Sequence, residues 1–260
     1  MVSGQGTERR RNIALLVVAS VAVLAVIAWL NRPRDEPARA TVDDAVRSFR
    51  AEGDSGGQGG GQGEPALGVY RYTTRGSESV KSPVFGATHG YGGVSTIVLS
   101  AGRCGERERW QVLAGRWSEA EACTTAHGEG SATVTEFHEF FGTGQEDSFR
   151  CHSAPVSTQP GSHFSSSCGS DDSSISSTSR VIGVEPITVG GETFDTTHLE
   201  TRSVLEGETS GSARRDEWRR RSDGLLLRRS AESEGDTSTA GGSHYSEKYT
   251  IELVSTTPRR

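Results

Sequence analysis

Hydrophobic positions follow two patterns along this chain. The first is continuous: residues 13 to 30, IALLVVASVAVLAVIAWL, carry no charge, and Ser20 is their only hydroxyl. At 1.5 Å rise per residue they make about 27 Å of helix, close to the roughly 30 Å hydrocarbon thickness of a bilayer. The run predicts a single transmembrane helix, with Trp29 placed for the headgroup region. Arg9, Arg10 and Arg11 precede it and Arg32 and Arg34 follow it, a mild excess that predicts residues 1–12 as a cytoplasmic basic tail. A cleaved signal peptide is the competing reading, because Ala38-Arg39-Ala40 has a small-x-small form that would leave Thr41 first. The apolar run is longer than a usual signal core and ends eight residues before that site, which favours an uncleaved anchor.

The second pattern has period two and begins after Pro65. LGVYRYTTR places Leu67, Val69, Arg71 and Thr73 on one side and Gly68, Tyr70, Tyr72 and Thr74 on the other. STIVLSAG (95–102), ERWQVLAGRW (108–117) and TVTEFHEFFG (133–142) also read as strands, with glycines at their ends. VIGVEPITVGG leads into the long alternating segment ETFDTTHLETRSVLEGE, and SHYSEKYTIELVS (243–255) reads as a last strand. RRDEWRRRSDGLLLRRS predicts a hairpin, since Asp223-Gly224 is a favoured turn pair between two strand-like runs. Between them, residues 153 to 180 are mostly Ser, Gly, Thr and Asp, and read as a loop pinned at Cys168.

Residues 31–65 read as a Gly-rich flexible linker. Asp43 to Glu52 has Val46 and Phe49 on one side, enough for a turn or two of helix but too short to be stable in isolation. GDSGGQGGGQG follows, with seven glycines in eleven residues. The outline is therefore a tail (1–12), an anchor (13–30), a linker (31–65) and an extracytoplasmic β-rich domain (66–258). The expected fold class is mainly β, a curved antiparallel sheet or half-barrel with two disulfides.

Composition changes the picture in two places. Cys104, Cys123, Cys151 and Cys168 all lie beyond the anchor. Their even number suits an oxidising compartment. Pairing 104 with 123 and 151 with 168 closes two short polar loops, and no C-x-x-C or zinc spacing is present. The formal net charge of −6 argues against nucleic acid as a partner. Arginine outnumbers lysine 26 to 2 and Asn occurs only at positions 12 and 31, as in a high-GC bacterial genome.

The last third resembles a known pattern. VGGETFDTTHLE, a Gly-rich turn, RRDEWRRRSDGLLLRR and HYSEKYTIEL together look like the second half of the curved-sheet modules of DUF3108-type periplasmic proteins and LolA/LppX-like lipoproteins. The similarity covers Val181 to Leu253, its motifs have low specificity, and the usual proline after Gly-Leu is absent, Leu226 and Leu227 following Gly224-Leu225. It implies a half-barrel able to cradle something apolar. The whole chain is similar to membrane-anchored extracytoplasmic proteins of actinobacteria, which implies no particular activity.

Candidate chemistry is sparse. His89, His127, His138, His152, His163, His198 and His244 form no H-x-H or H-E-x-x-H, so each is expected at the surface or in a loop. Gly207-Glu208-Thr209-Ser210-Gly211 imitates a nucleophile elbow only if Thr replaces Ser, and Gly53-Asp54-Ser55 lies in a glycine tract. These observations predict no catalytic, metal or cofactor site. The exception is a basic cluster: Arg214, Arg215, Arg219, Arg220, Arg221, Arg228 and Arg229 face only Asp216, Glu217 and Asp223, a local net of 7 − 3 = +4 around Trp218. It predicts an exposed ribbon for an anionic lipid, a cell-wall polymer or an acidic protein. The expected function is a membrane-anchored envelope protein with a non-catalytic binding or structural module. The alternatives are a carrier of lipid or another hydrophobic ligand, and an extracytoplasmic hydrolase.

Overall fold

The period-two segments become strands of one sheet. A computed structural model describes residues 37–52, 63–124, 130–153, 158–237 and 242–260. They form a helix, α1 (Val42–Ala51), and thirteen strands: β1 (Gly68–Lys81), β2 (Gly86–Gly90), β3 (Gly93–Ala101), β4 (Gly105–Leu113), β5 (Arg116–Thr124), β6 (Gly130–Phe140), β7 (Thr143–Ser153), β8 (His163–Gly169), β9 (Ser173–Val189), β10 (Glu192–Gly207), β11 (Thr209–Arg220), β12 (Leu226–Thr237) and β13 (Ser243–Leu253). Each strand from β3 to β13 pairs antiparallel with the next, β1 pairs with β3, and β13 returns to β1. Twelve strands thus close a ring, with β2 added to the upper part of β1.

The sheet is closed, not the half-barrel expected. Closure depends on β1, whose lower residues pair with β3 (Tyr72↔Ser95) while its whole upper length pairs with β13 (Glu78↔Glu247). Gly76 permits this: a Cβ there would lie 2.2 Å from the Lys248 carbonyl oxygen. The run 108–117 is two strands, folded at Ala114-Gly115. The serine-rich middle is likewise not a loop, since it forms β8 and the first half of β9. There Phe164, Ser166 and Cys168 face inward opposite Ser179, Ser177 and Ile175, so alternation persists although most of the residues are small and polar. Both expected disulfides form, Cys104–Cys123 and Cys151–Cys168, the second between directly opposed residues of β7 and β8.

α1 is capped by Thr41, whose hydroxyl accepts from the Asp44 amide at 3.1 Å, and carries acids in its first turn and Arg50 in its last. Ala45 and Val46 pack on Val69, with Phe49 and Val98 alongside, so this part of the stretch read as linker lies against the barrel. Tertiary burial supplies what ten residues lack alone.

In an up-and-down barrel, successive turns alternate between two ends. The turns at 82–85, 114–115, 141–142 and 170–172 define an upper end, and those at 190–191 and 221–225 a lower end. The apolar core fills the lower half, where Tyr70, Tyr72, Ile97, Leu99, Trp110, Leu225, Leu227 and Ile251 are buried together. The space left among Pro65, Tyr72, Ile97, Leu99 and Leu225 is about 10 Å³, room for no more than a single water. The outer face carries Arg, Glu, Ser and Thr at alternate positions, such as Arg202, Arg214, Glu232 and Lys248, unlike the apolar band of a membrane-spanning barrel. The apolar run 13–30 lies outside the described residues, and among those described no helix is long and apolar enough to cross a membrane.

Candidate functional site

Strand alternation sends a surprising number of charged side chains inward, where they collect in two networks. The lower one joins opposite walls. Arg229 on β12 donates to Glu217 on β11 at 2.7 Å and to Glu108 on β4 at 2.6 Å, while Arg219 donates to the same two carboxylates at 3.2 Å each. Two guanidiniums and two carboxylates thus form a neutral ring, and each carboxylate bridges both arginines. Burial alone would raise Glu108 and Glu217, but the two arginines outweigh it and hold both carboxyls below their ordinary value.

The upper network is unbalanced. Arg116 on β5 makes a two-pronged contact with Glu247 on β13 at 2.9 and 3.0 Å, and its guanidinium lies 5.2 Å from the Trp110 ring centroid. Tyr91 donates to the same Glu247. Beside them Glu78, 1% exposed, has one carboxylate oxygen 3.1 Å from His89 Nδ1 and the other 3.1 Å from His138 Nδ1, and Tyr245 donates to it at 3.4 Å. Glu136, on the same face as His138, lies 3.6 Å from His138 Nε2 and is 43% exposed. Three carboxylates therefore face one arginine, and the two imidazoles stand where further positive charge is needed. Burial and the charge of Arg116 would lower His138, yet its hydrogen bonds to Glu136 and Glu78 prevail and raise it above its ordinary 6.5. Burial would raise Glu136, but His138 and then Arg116 hold it down at about 2. Burial first, and Glu247 second, push the Tyr91 and Tyr245 hydroxyls up, which keeps them as donors.

Between the networks the interior is polar and reached by water. Arg215 faces inward opposite Thr201 and Ala231, yet is 50% exposed, with Glu217 at 3.8 Å. A hollow of about 250 Å³ that lies on the outer side of β1, β12 and β13, beside the exposed Glu232–Lys248 pair, is not part of this interior.

The arginine ribbon is divided by the alternation of its strands. Arg219 and Arg229 point inward and belong to the lower ring. Arg220 binds Asp223 and lies 5.1 Å from the Phe194 ring. Outward, Arg214 contacts Glu200 at 2.7 Å and Asp216 at 3.2 Å, and Arg228 lies over Trp218 at 4.8 Å with Glu252 at 3.7 Å. Arg221, exposed in the lower turn, makes no side-chain ion pair among the described residues. Trp218 stacks on His198 at 4.3 Å and donates to Glu185 at 2.7 Å, while His198 contacts Glu185 and Asp216 at 2.8 and 2.9 Å. The Asp223-Gly224 hairpin forms as expected, with a five-residue turn from 221 to 225.

Histidines expected at the surface are thus partly corrected. His89, His138 and His198 are 13 to 16% exposed and held by carboxylates. Among the described residues, Cys104, Glu121 and Cys123 form a group close enough for metal ligation, but its two sulfurs are joined to each other. Neither protein-family models, nor curated proteins, nor solved structures give a match to this chain.

The upper network has the residue types of acid–base catalysis, a buried carboxylate between imidazoles. Its geometry is closed, however. Both oxygens of Glu78 are engaged by histidine, and both oxygens of Glu247 by Arg116, so the groups face one another and not an open cleft.

Proposed function

We propose that this chain is a membrane-anchored envelope protein whose barrel is an extracytoplasmic, non-catalytic binding or structural module. The observation that carries this reading is the packed lower core, where the space among Pro65, Tyr72, Ile97, Leu99 and Leu225 is about 10 Å³, beneath an interior crossed by ion pairs. A carrier of lipid needs an apolar cavity of a few hundred Å³ or more. Here the apolar residues pack on one another, and the wall between the networks turns Ser177, Ser179, Thr201 and Arg215 inward. A ligand taken inside would be polar. The two disulfides support an oxidising compartment, and the apolar run 13–30 supports the anchor. An anionic or acidic partner has the outward members of the ribbon, Arg214, Arg221 and Arg228, as its surface, of which the first and last already have carboxylates beside them.

Mass analysis of material bound to the domain purified from its own membrane tests the reading. The expected result is no stoichiometric lipid; a lipid recovered one to one with protein would replace it with the carrier. Topology is tested separately with cysteines introduced at Ser3 and Ser55 in intact cells. A membrane-impermeant thiol reagent is expected to label position 55 alone.

A further inference from the structure

The upper end of the barrel carries an apolar tip in a place where turns are ordinarily polar. The β1–β2 turn reads Ser82-Pro83-Val84-Phe85, with Val84 85% and Phe85 45% exposed. Its neighbour is the β6–β7 turn, where the Phe141 ring meets Phe85 edge to face at 4.8 Å. That turn uses Phe141 at φ 58° and Gly142 at φ 72°. Two successive left-handed residues suit Asn-Gly, and a bulky aromatic residue there is rare. Backbone strain of this kind marks positions where the side chain serves a purpose other than stability. An exposed, contiguous apolar patch points to an interaction surface.

The occupant follows from where the chain joins the barrel. The Ala38 carbonyl accepts from the Ala114 amide at 2.7 Å, and Arg39 bridges to Leu113. The chain therefore reaches the domain at the 114–115 turn, which is the end that bears the tip. Because α1 is packed on the barrel, the glycine tract at 53–63 lies within the domain's sequence and adds no length to the tether. Only residues 31 to 36 separate the apolar run from Pro37, a reach of at most about 25 Å even when fully extended.

We infer that Val84, Phe85 and Phe141 insert into the interfacial layer of the membrane in which the chain is anchored. This rests on the anchored reading above. Aromatic and branched side chains on a rigid turn are suited to the headgroup boundary, where their apolar faces leave water while the strand ends stay hydrated. On the anchored reading the encounter with the bilayer is intramolecular, so a small patch suffices: insertion need not compete with diffusion away.

The test uses the full chain in phosphatidylcholine vesicles. Its four cysteines are paired, so Val84→Cys offers a single thiol for an environment-sensitive fluorophore, and Ser222→Cys in the lower turn is the control. Nitroxide-bearing headgroups are expected to quench the label at 84 severalfold more than that at 222, and Phe85→Asp is expected to abolish the difference without moving the thermal midpoint. Equal quenching at the two positions overturns the inference, as does protection of position 84 through self-association on diluting the protein in lipid. Carbonate extraction reports on the anchor alone and quenching on the tip alone, so either reading can fail without the other.

Discussion

The two ionic networks of the interior use the same chemistry to different ends. The lower ring has two arginines for two glutamates, and none of its members changes charge near neutral pH. The upper one has a single arginine for Glu78, Glu247 and Glu136 and completes itself with imidazoles. What distinguishes a rigid strut from a titratable junction inside a barrel is therefore the count of permanent charges, not burial.

The largest effect expected on this comparison is the loss of one permanent cation. Arg229→Met leaves Glu108 and Glu217 buried with half their partners, and Arg116→Met leaves Glu247 and Glu78 likewise. Each is expected to cost about 3–5 kcal/mol in denaturant unfolding. Replacing Glu108, Glu217, Arg219 and Arg229 together by apolar residues of similar volume is expected to be near neutral, because the pairing energy largely offsets desolvation. A large loss in the fourfold variant would mean that the ring does more than satisfy itself.

Next in size is the Cys151–Cys168 link on the polar wall between the networks. Cys151→Ser with Cys168→Ser is expected to lower stability by about 2–4 kcal/mol, since few apolar contacts hold β7 and β8 otherwise. Adding reductant to the parent, which opens Cys104–Cys123 as well, should lower the midpoint at least as far.

The difference in titration is the third test. His138 is raised in the folded state, so the stabilisation from its protonated form is complete below about 6.5 and is lost as pH rises through the raised value. Glu136 is depressed, so its contribution is present above 4.5 and is lost as pH falls toward about 2. Stability of the parent is expected to decline on the alkaline side by at most about 1.4 kcal/mol per pH unit for this one proton. His138→Gln should flatten that limb in thermal scans from pH 5 to 9, whereas Arg229→Met should lower the whole curve and leave its slope.

How far these regions were legible in the sequence differs for a physical reason. The Asp223-Gly224 turn, the disulfide pairs and most of the apolar strands are local signals and read correctly, the exception being 108–117, where the Ala114-Gly115 turn splits one expected strand into β4 and β5. In RRDEWRRRSD, alternation alone places Arg215, Glu217 and Arg219 on one face and Arg214, Asp216 and Trp218 on the other. Hydropathy gave no sign that the charged face was the inner one. β8 and the first half of β9 were missed because strand recognition leans on apolar residues, and a wall facing a hydrated interior has no need of them. Arg116 and His138 are opposed on adjacent β5 and β6, but they meet Glu78 and Glu247, opposed on β1 and β13, only when the barrel closes, and no spacing announces that meeting.

The smallest effect is expected outside the barrel. Arg214→Gln and Arg228→Gln remove exposed guanidiniums that already contact acids, and each is expected to change stability by no more than about 1 kcal/mol. A vesicle or polymer binding assay at low salt shows whether they serve a partner instead.

The pairing of β13 with β1 has a consequence for biogenesis. Tyr72 lies opposite Leu253, so the first strand of the ring waits for β13, with all the other strands of the sheet made in between. Until then both strands present bare backbone donors and acceptors, and each is a template for joining another molecule's sheet. Long-range closure is also slow. A chain made from its N-terminus meets this hazard until β13 is complete, and truncation within 243–253 is expected to yield assemblies of linked sheets, not a smaller barrel.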